Sequence, residues 1–144
     1  MPWHGLQMLF MLHSAINNRE GSLMQNLSKY VQIGEHTGEG YSRVVEYGNW
    51  TAALINYAPR FDEKNFEYVE RHNKTDEVFI LIEGAATLIL GEADKLQYLN
   101  MEKFKIYNIK KGVWHHIFLK EGAKVVIVEN SDTGKENTDY YFVK

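Results

Sequence analysis

From Val31 onward, turn-forming residues recur about every ten positions and cut the chain into short runs rich in β-branched and aromatic side chains. The runs are Tyr41–Glu46, Trp50–Ala58, Phe66–His72, Glu77–Ile82, Ala85–Leu90, Phe104–Ile109, Trp114–Leu119, Val125–Glu129 and Tyr140–Val143. Between them stand Tyr47-Gly48-Asn49, Asn73-Lys74-Thr75-Asp76, Glu83-Gly84, Gly91-Glu92-Ala93-Asp94, Lys111-Gly112, Glu121-Gly122 and the polar stretch 130–139. No segment after Val31 keeps apolar residues at helical spacing over three turns. So many short strands in a chain of 144 residues predict an all-β domain, a small barrel or two-sheet jelly roll.

Several of these strands are apolar at both parities. In Glu77–Ile82 one face carries Glu77, Phe79 and Leu81, and the other Val78, Ile80 and Ile82. Alternate side chains point to opposite faces, so such a strand must be covered twice. Trp114–Leu119 makes the same demand, with Trp114, His116 and Phe118 opposite His115, Ile117 and Leu119. Together with the aromatic Tyr140-Tyr141-Phe142, these faces exceed what one barrel interior covers and predict a homodimer.

Composition narrows the function classes. Sixteen basic against nineteen acidic residues, net charge −3, leave no basic footprint for nucleic acid or for an anionic membrane. The absence of cysteine excludes disulfides, thiolate metal sites and cysteine nucleophiles, and fits a cytoplasmic location. There is no Gly-x-Ser-x-Gly elbow and no Walker loop, and Gly34–Gly40 lacks the strand-before, helix-after setting of a dinucleotide site. The first thirty residues differ from the rest and are expected to be an N-terminal extension, helical or a translated leader, before a single domain over 31–144. Their apolar run near Leu6–Leu12 has no basic residue ahead of it and is too short to span a bilayer. The segment Asn18–Ser22 can be encoded by a purine-rich tract like a ribosome-binding site, which makes Met24 a candidate start.

Chemistry-bearing residues concentrate in two places. Glu70 and His72 share parity at the end of one strand, and Glu77 opens the next, so a hairpin turn is expected to bring the three side chains together. Further on, Gly112-Val113-Trp114-His115-His116 starts another strand with histidines after a glycine turn. Two histidines with one or two carboxylates at strand ends suit an open site for a divalent first-row metal. His115 and His116 point to opposite faces, so only one of them serves such a site. Asp76, beside Glu77, is expected to point away and solvate the turn. Tyr57 and Arg60 flank Pro59 at a strand end, where they can meet a small anionic or hydroxylated ligand.

These residues resemble the cupin superfamily. The first cupin motif has two histidines one residue apart, then a glutamate and a later glycine; His72, Glu77 and Gly84 match its second histidine, glutamate and glycine. Gly112 and His115 match the glycine and histidine of the second motif. Glu70 stands in place of the first histidine, Lys110 in place of the usual proline of the second motif, and Leu119 where that motif usually ends in asparagine. The resemblance covers about Gly48 to Asn130 and implies a small cupin-type β-barrel, a double-stranded jelly roll. It implies metal ligands His72, Glu77 and His115, with Glu70 as a possible fourth, holding Fe, Mn or Zn beside a small-molecule ligand. The glycine-to-histidine spacing selects His115 and leaves His116 to an interface or a neighbouring hydrogen bond. Three functions stay open: a metal-dependent isomerase, dioxygenase or lyase; a metal-free sugar epimerase or isomerase; and a non-catalytic small-ligand binding module.

Overall fold

The structure, a computed structural model, describes residues 27–143. A leader or helix within residues 1–26 and a start at Met24 lie outside the described residues. The chain divides into two units between Ile33 and Gly34. In the first, the N–H groups of Tyr30 and Val31 donate to the Leu27 carbonyl, at 2.8 and 3.1 Å, closing a single turn.

The second unit is all β. Ten strands run β1 Gly40–Tyr47, β2 Trp50–Asn56, β3 Tyr68–His72, β4 Glu77–Glu83, β5 Ala86–Glu92, β6 Lys95–Asn100, β7 Ile106–Ile109, β8 Trp114–Leu119, β9 Lys124–Asn130 and β10 Thr138–Phe142. They form two antiparallel five-stranded sheets, ordered β1-β2-β9-β4-β7 and β10-β3-β8-β5-β6. The interior follows period-two parity. Thr51, Ala53 and Ile55 of β2, Phe79 and Leu81 of β4, Ile117 and Leu119 of β8, and Val125 and Ile127 of β9 are all buried. Burial of such side chains, about 1.5–3 kcal/mol for each large one, is the main stabilising contribution.

The structure corrects three sequence expectations. The stretch Lys95–Asn100, where the sequence pattern predicts no strand, is strand β6. It is an edge strand whose residues are mostly exposed, so it lacks the apolar alternation that marks a half-buried strand. The run expected from Phe104 starts at Ile106, because Phe104 has a positive φ of 63° and cannot continue a strand. Residues 73–76 are not a hairpin turn: β3 and β4 lie in different sheets, so this connection crosses between them. Two 3-10 turns, Pro59–Phe61 and Glu63–Asn65, fill the interval between the predicted runs Trp50–Ala58 and Phe66–His72.

The second face of β8 is covered within the chain in part. Phe118 is buried, and Phe66 packs edge-on against it with ring centroids 5.1 Å apart. Val69 and Ile89 complete this smaller cluster, with Leu96 and Trp114 at its border.

Gly84, between β4 and β5, has φ +73°, and a Cβ there would lie 2.6 Å from the Cα of Ala123. Gly48, between β1 and β2, has φ +58° with open space around it. Gly84→Ala is therefore expected to cost about 2 kcal/mol or more, through both backbone strain and collision, and Gly48→Ala about 1 kcal/mol from strain alone. Urea unfolding of the two variants checks the order; equal losses would show that the approach to Ala123 relaxes freely.

Candidate metal centre

The parity that buries the core carries polar residues at one end of the barrel. Glu77 continues the inward row of Phe79 and Leu81, His115 that of Ile117 and Leu119, and Glu129 that of Ile127 and Val125. His72 closes β3 on the facing sheet. All four are buried, among residues that would otherwise be solvated.

His72, Glu77 and His115 converge. Both imidazole Nε2 atoms lie 3.0 Å from the same carboxylate oxygen, Glu77 Oε2. One donor atom from each residue falls within 4.8 Å of the other two. The opposite ring nitrogens are engaged as well: His115 Nδ1 donates to the Val113 carbonyl at 3.0 Å, and His72 Nδ1 lies 3.0 Å from Thr138 Oγ1. A carbonyl only accepts, so the proton of neutral His115 sits on Nδ1 and its Nε2 lone pair faces a carboxylate oxygen. That contact is favourable only if a second proton or a cation lies between them. Ligands held at about 2.1 Å and at right angles around an ion would be about 3.0 Å apart, so the spacing fits a divalent first-row metal. Imidazoles fixed through the far nitrogen are also what metal-binding histidines require.

Burial works against the charged form of Glu77, but hydrogen bonds from His115 and then His72 outweigh it and hold the carboxyl at about 2. Burial likewise disfavours charged His115, yet the Glu77 carboxylate raises its pKa above the usual 6.5. Without metal, Glu77 and His115 thus form a buried ion pair.

Glu70 lies opposite His115 in register and lines the same cavity. Its carboxyl is outside the close group of three, and burial, opposed by the nearby His115, raises its pKa. His116 points away from the triad. Its ring lies 5.2 Å from Phe66 and 5.6 Å from Phe118, and its buried Nε2 has no hydrogen-bond partner among the described residues. Burial holds it neutral, with a pKa of about 4. The neighbouring hydrogen bond expected for it is therefore absent at Nε2.

Asp76 does point away from the site, but it does more than solvate a turn. It accepts from Lys111 N at 2.9 Å, Asn108 Nδ2 at 3.0 Å and Lys110 Nζ at 3.1 Å, tying the β3–β4 connection to the β7–β8 turn. Gly112 N donates to the His72 carbonyl at 2.7 Å, so the two segments that deliver His72 and His115 are joined directly.

Sequence reasoning missed five contributors. Buried Asn137 accepts from Lys74 N and donates to Thr75 Oγ1, at 2.8 and 3.0 Å, and Thr138 orients His72. Both lie in or beside a polar stretch with no distinguishing pattern. Glu129 accepts a hydrogen bond from the Tyr41 hydroxyl, whose partner Arg43 lies 3.5 Å from the same carboxylate oxygen. A glutamate in step with Val125 and Ile127 was the available signal for Glu129.

The pKa shifts fix a pH profile for metal-free protein. Glu77, lowered from 4.5 to about 2, contributes stability that is full above pH 4.5 and lost as pH falls toward 2. His115, raised above 6.5, contributes stability that is full below that value and lost as pH rises through its folded pKa. Stability to urea is expected to peak at about pH 4.5–6.5, and Glu77→Gln to flatten both flanks. A wild-type profile as flat as the variant's would contradict the buried pair.

No protein-family model matches the sequence, and no curated protein matches it. Solved structures do. A cupin-2 domain containing protein from Shewanella frigidimarina is 26% identical, covering 72% of this chain and 89% of its own, with a TM-score of 0.49. A PAC13 variant from Streptomyces, solved with uridine, is 8% identical over 77% of this chain and 87% of its own, with a TM-score of 0.56. The Fe(II) form of HppE with its substrate is 11% identical over 69% of this chain and 54% of its own, with a TM-score of 0.50. With two facing five-stranded antiparallel sheets, and with His72, Glu77 and His115 at one end of them, the chain has the jelly-roll fold of the cupin superfamily.

Proposed function

We propose that this protein holds a divalent first-row metal, Fe, Mn or Zn, through His72, Glu77 and His115, and binds a small sugar- or carboxylate-like molecule beside it. The single observation that carries this reading is the pair of 3.0 Å contacts from two imidazole nitrogens to one buried carboxylate oxygen, with His115 Nδ1 already committed to a carbonyl. Two histidines and one carboxylate leave coordination positions open. Such an ion, when bound, polarises a carbonyl or hydroxyl oxygen or activates water or oxygen. A cavity of about 280 Å³ adjoins the triad, lined by Glu70, Glu129, Tyr41, Tyr68 and Tyr140 among others. In it, Glu129 and Tyr41 can hold or pass a proton, and Arg43 keeps Tyr41 and Glu129 oriented. This equipment suits an isomerase, dioxygenase or lyase. Glu70, beside the triad, is available as a fourth ligand. The Fe(II) form of HppE and the uridine-bound PAC13 share the fold and so lend the reading support by fold alone.

The same residues serve a metal-free sugar epimerase, isomerase or binding module if a shared proton takes the place of the ion. A 3.0 Å spacing also accommodates such a proton, and metal content decides between the two readings. Protein purified without chelators is expected to carry about one metal ion per chain by elemental analysis. His115→Ala should lose most of it, and His116→Ala should keep it. Equal loss from both variants would refute the assignment of faces, and a metal-free wild type would favour the second reading.

The protein is further proposed to be a cytoplasmic homodimer. No helix among the described residues is long and apolar enough to cross a membrane. Tyr140, Tyr141 and Phe142 remain 53%, 42% and 64% exposed, and Ile106 of β7 is 71% exposed on the outer side of the other sheet. Light scattering at micromolar concentration is expected to give twice the 16.8 kDa chain mass; a monomer would contradict the dimer.

A further inference from the structure

Given a divalent ion at His72, Glu77 and His115, the reading just proposed, the charge of the cavity wall favours an anionic ligand. The wall carries three carboxylates, Glu70, Glu77 and Glu129, and two guanidiniums, Arg43 and Arg60. With a divalent ion and neutral histidines these groups sum to one positive charge. A ligand with a single negative charge would balance that sum.

The two arginines are not equivalent. Arg43 is committed: Nε donates to Tyr41 Oη at 3.1 Å, and its terminal nitrogens donate to the carbonyls of Ser131 and Thr133, at 3.2 and 2.9 Å. It also lies 3.5 Å from Glu129. Arg60 has no carboxylate or carbonyl partner among the described residues. Its guanidinium lies 4.6 Å from the centre of the buried Phe61 ring, a stacking contact that orients the planar group and leaves its N–H edge free. The backbone beneath it is fixed by Pro59, in the 3-10 turn, whose carbonyl accepts from Asn65 Nδ2 at 2.7 Å. Arg60 is thus an exposed cation, held against Phe61 and without an ion-pair partner among the described residues, on the wall of a cavity that the metal ligands also line.

We propose that Arg60 anchors the carboxylate of a small hydroxy- or keto-acid anion, placing the oxygen next to that carboxylate at the metal. The planar N–H fork of arginine matches a carboxylate with two parallel hydrogen bonds, a fit a single ammonium does not provide. Tyr68 and Tyr140 on the same wall supply hydroxyls for the rest of the molecule. A cavity of about 280 Å³ limits that remainder to a small group.

The test uses the full chain loaded with Co(II), whose visible spectrum reports both metal uptake and changes at the metal. Lactate is titrated in, with lactamide as its uncharged counterpart and inorganic phosphate as a competing anion. Wild type is expected to show a saturable change with lactate and none with lactamide. Arg60→Gln should take up cobalt normally and bind lactate about tenfold more weakly or worse, the loss expected for a charge-assisted hydrogen bond. Lys95→Gln, a charge removed from β6 outside the cavity, should match wild type. Normal cobalt uptake with lactate binding unchanged in Arg60→Gln would overturn the anchor and leave the metal reading standing. Lactamide binding as well as lactate, or phosphate binding more tightly than lactate through Arg60, would overturn the carboxylate assignment. A wild type that takes up no cobalt would overturn the metal reading and the anchor with it.

Discussion

The buried carboxylate of Glu77 governs how this end of the barrel is built. It belongs to β4 of one sheet and meets His72 and His115, which belong to β3 and β8 of the other. The contact therefore spans the two sheets at the place where the apolar core gives way to polar groups. A lone carboxylate buried this deeply would be neutralised or expelled, because its desolvation costs several kcal/mol. Two imidazoles on one oxygen reverse that balance and keep the group ionised. The remaining nitrogens must then be satisfied too, and Thr138 and the Val113 carbonyl meet that need.

Around this centre the loops are tied rather than merely closed. Asp76 holds the β7–β8 turn through one backbone and two side-chain donors, and Asn137 holds residues 74 and 75. These bonds fix the two segments that carry His72 and His115 with respect to each other. A ligand set placed by loops alone would wander; one placed at strand ends and braced by buried amides stays near its working geometry. The cavity beside it is asymmetric in its charges. Glu129 is shared by Tyr41 and Arg43, whereas Glu70, on the other sheet beside His72 and His115, has its pKa raised by burial.

Much of this was legible in the chain. Alternation in Glu77–Ile82 and Trp114–Leu119 located two strands closely, and the same parity correctly separated His115 from His116. The edge strand β6 escaped because an edge exposed on most sides has no apolar pattern to display. Glu129 stands outside the clustered motifs, although its parity with Ile127 already places it inward. Asn137 carried no local signal at all, since its importance comes from partners more than sixty residues away.

By itself the sequence determined the all-β class, the inward rows of side chains and the grouping of histidine and glutamate at strand ends, because these depend on period two and on turn residues, which are local properties. Only the tertiary structure decided that His72 and Glu77 meet across two sheets instead of along one hairpin, that Glu70 stands apart from the close group, and that Arg60 faces the cavity while Arg43 is spent. Those outcomes depend on which strands pair and on how distant segments pack. Both are set by the burial of the whole core, which no short stretch of the chain encodes.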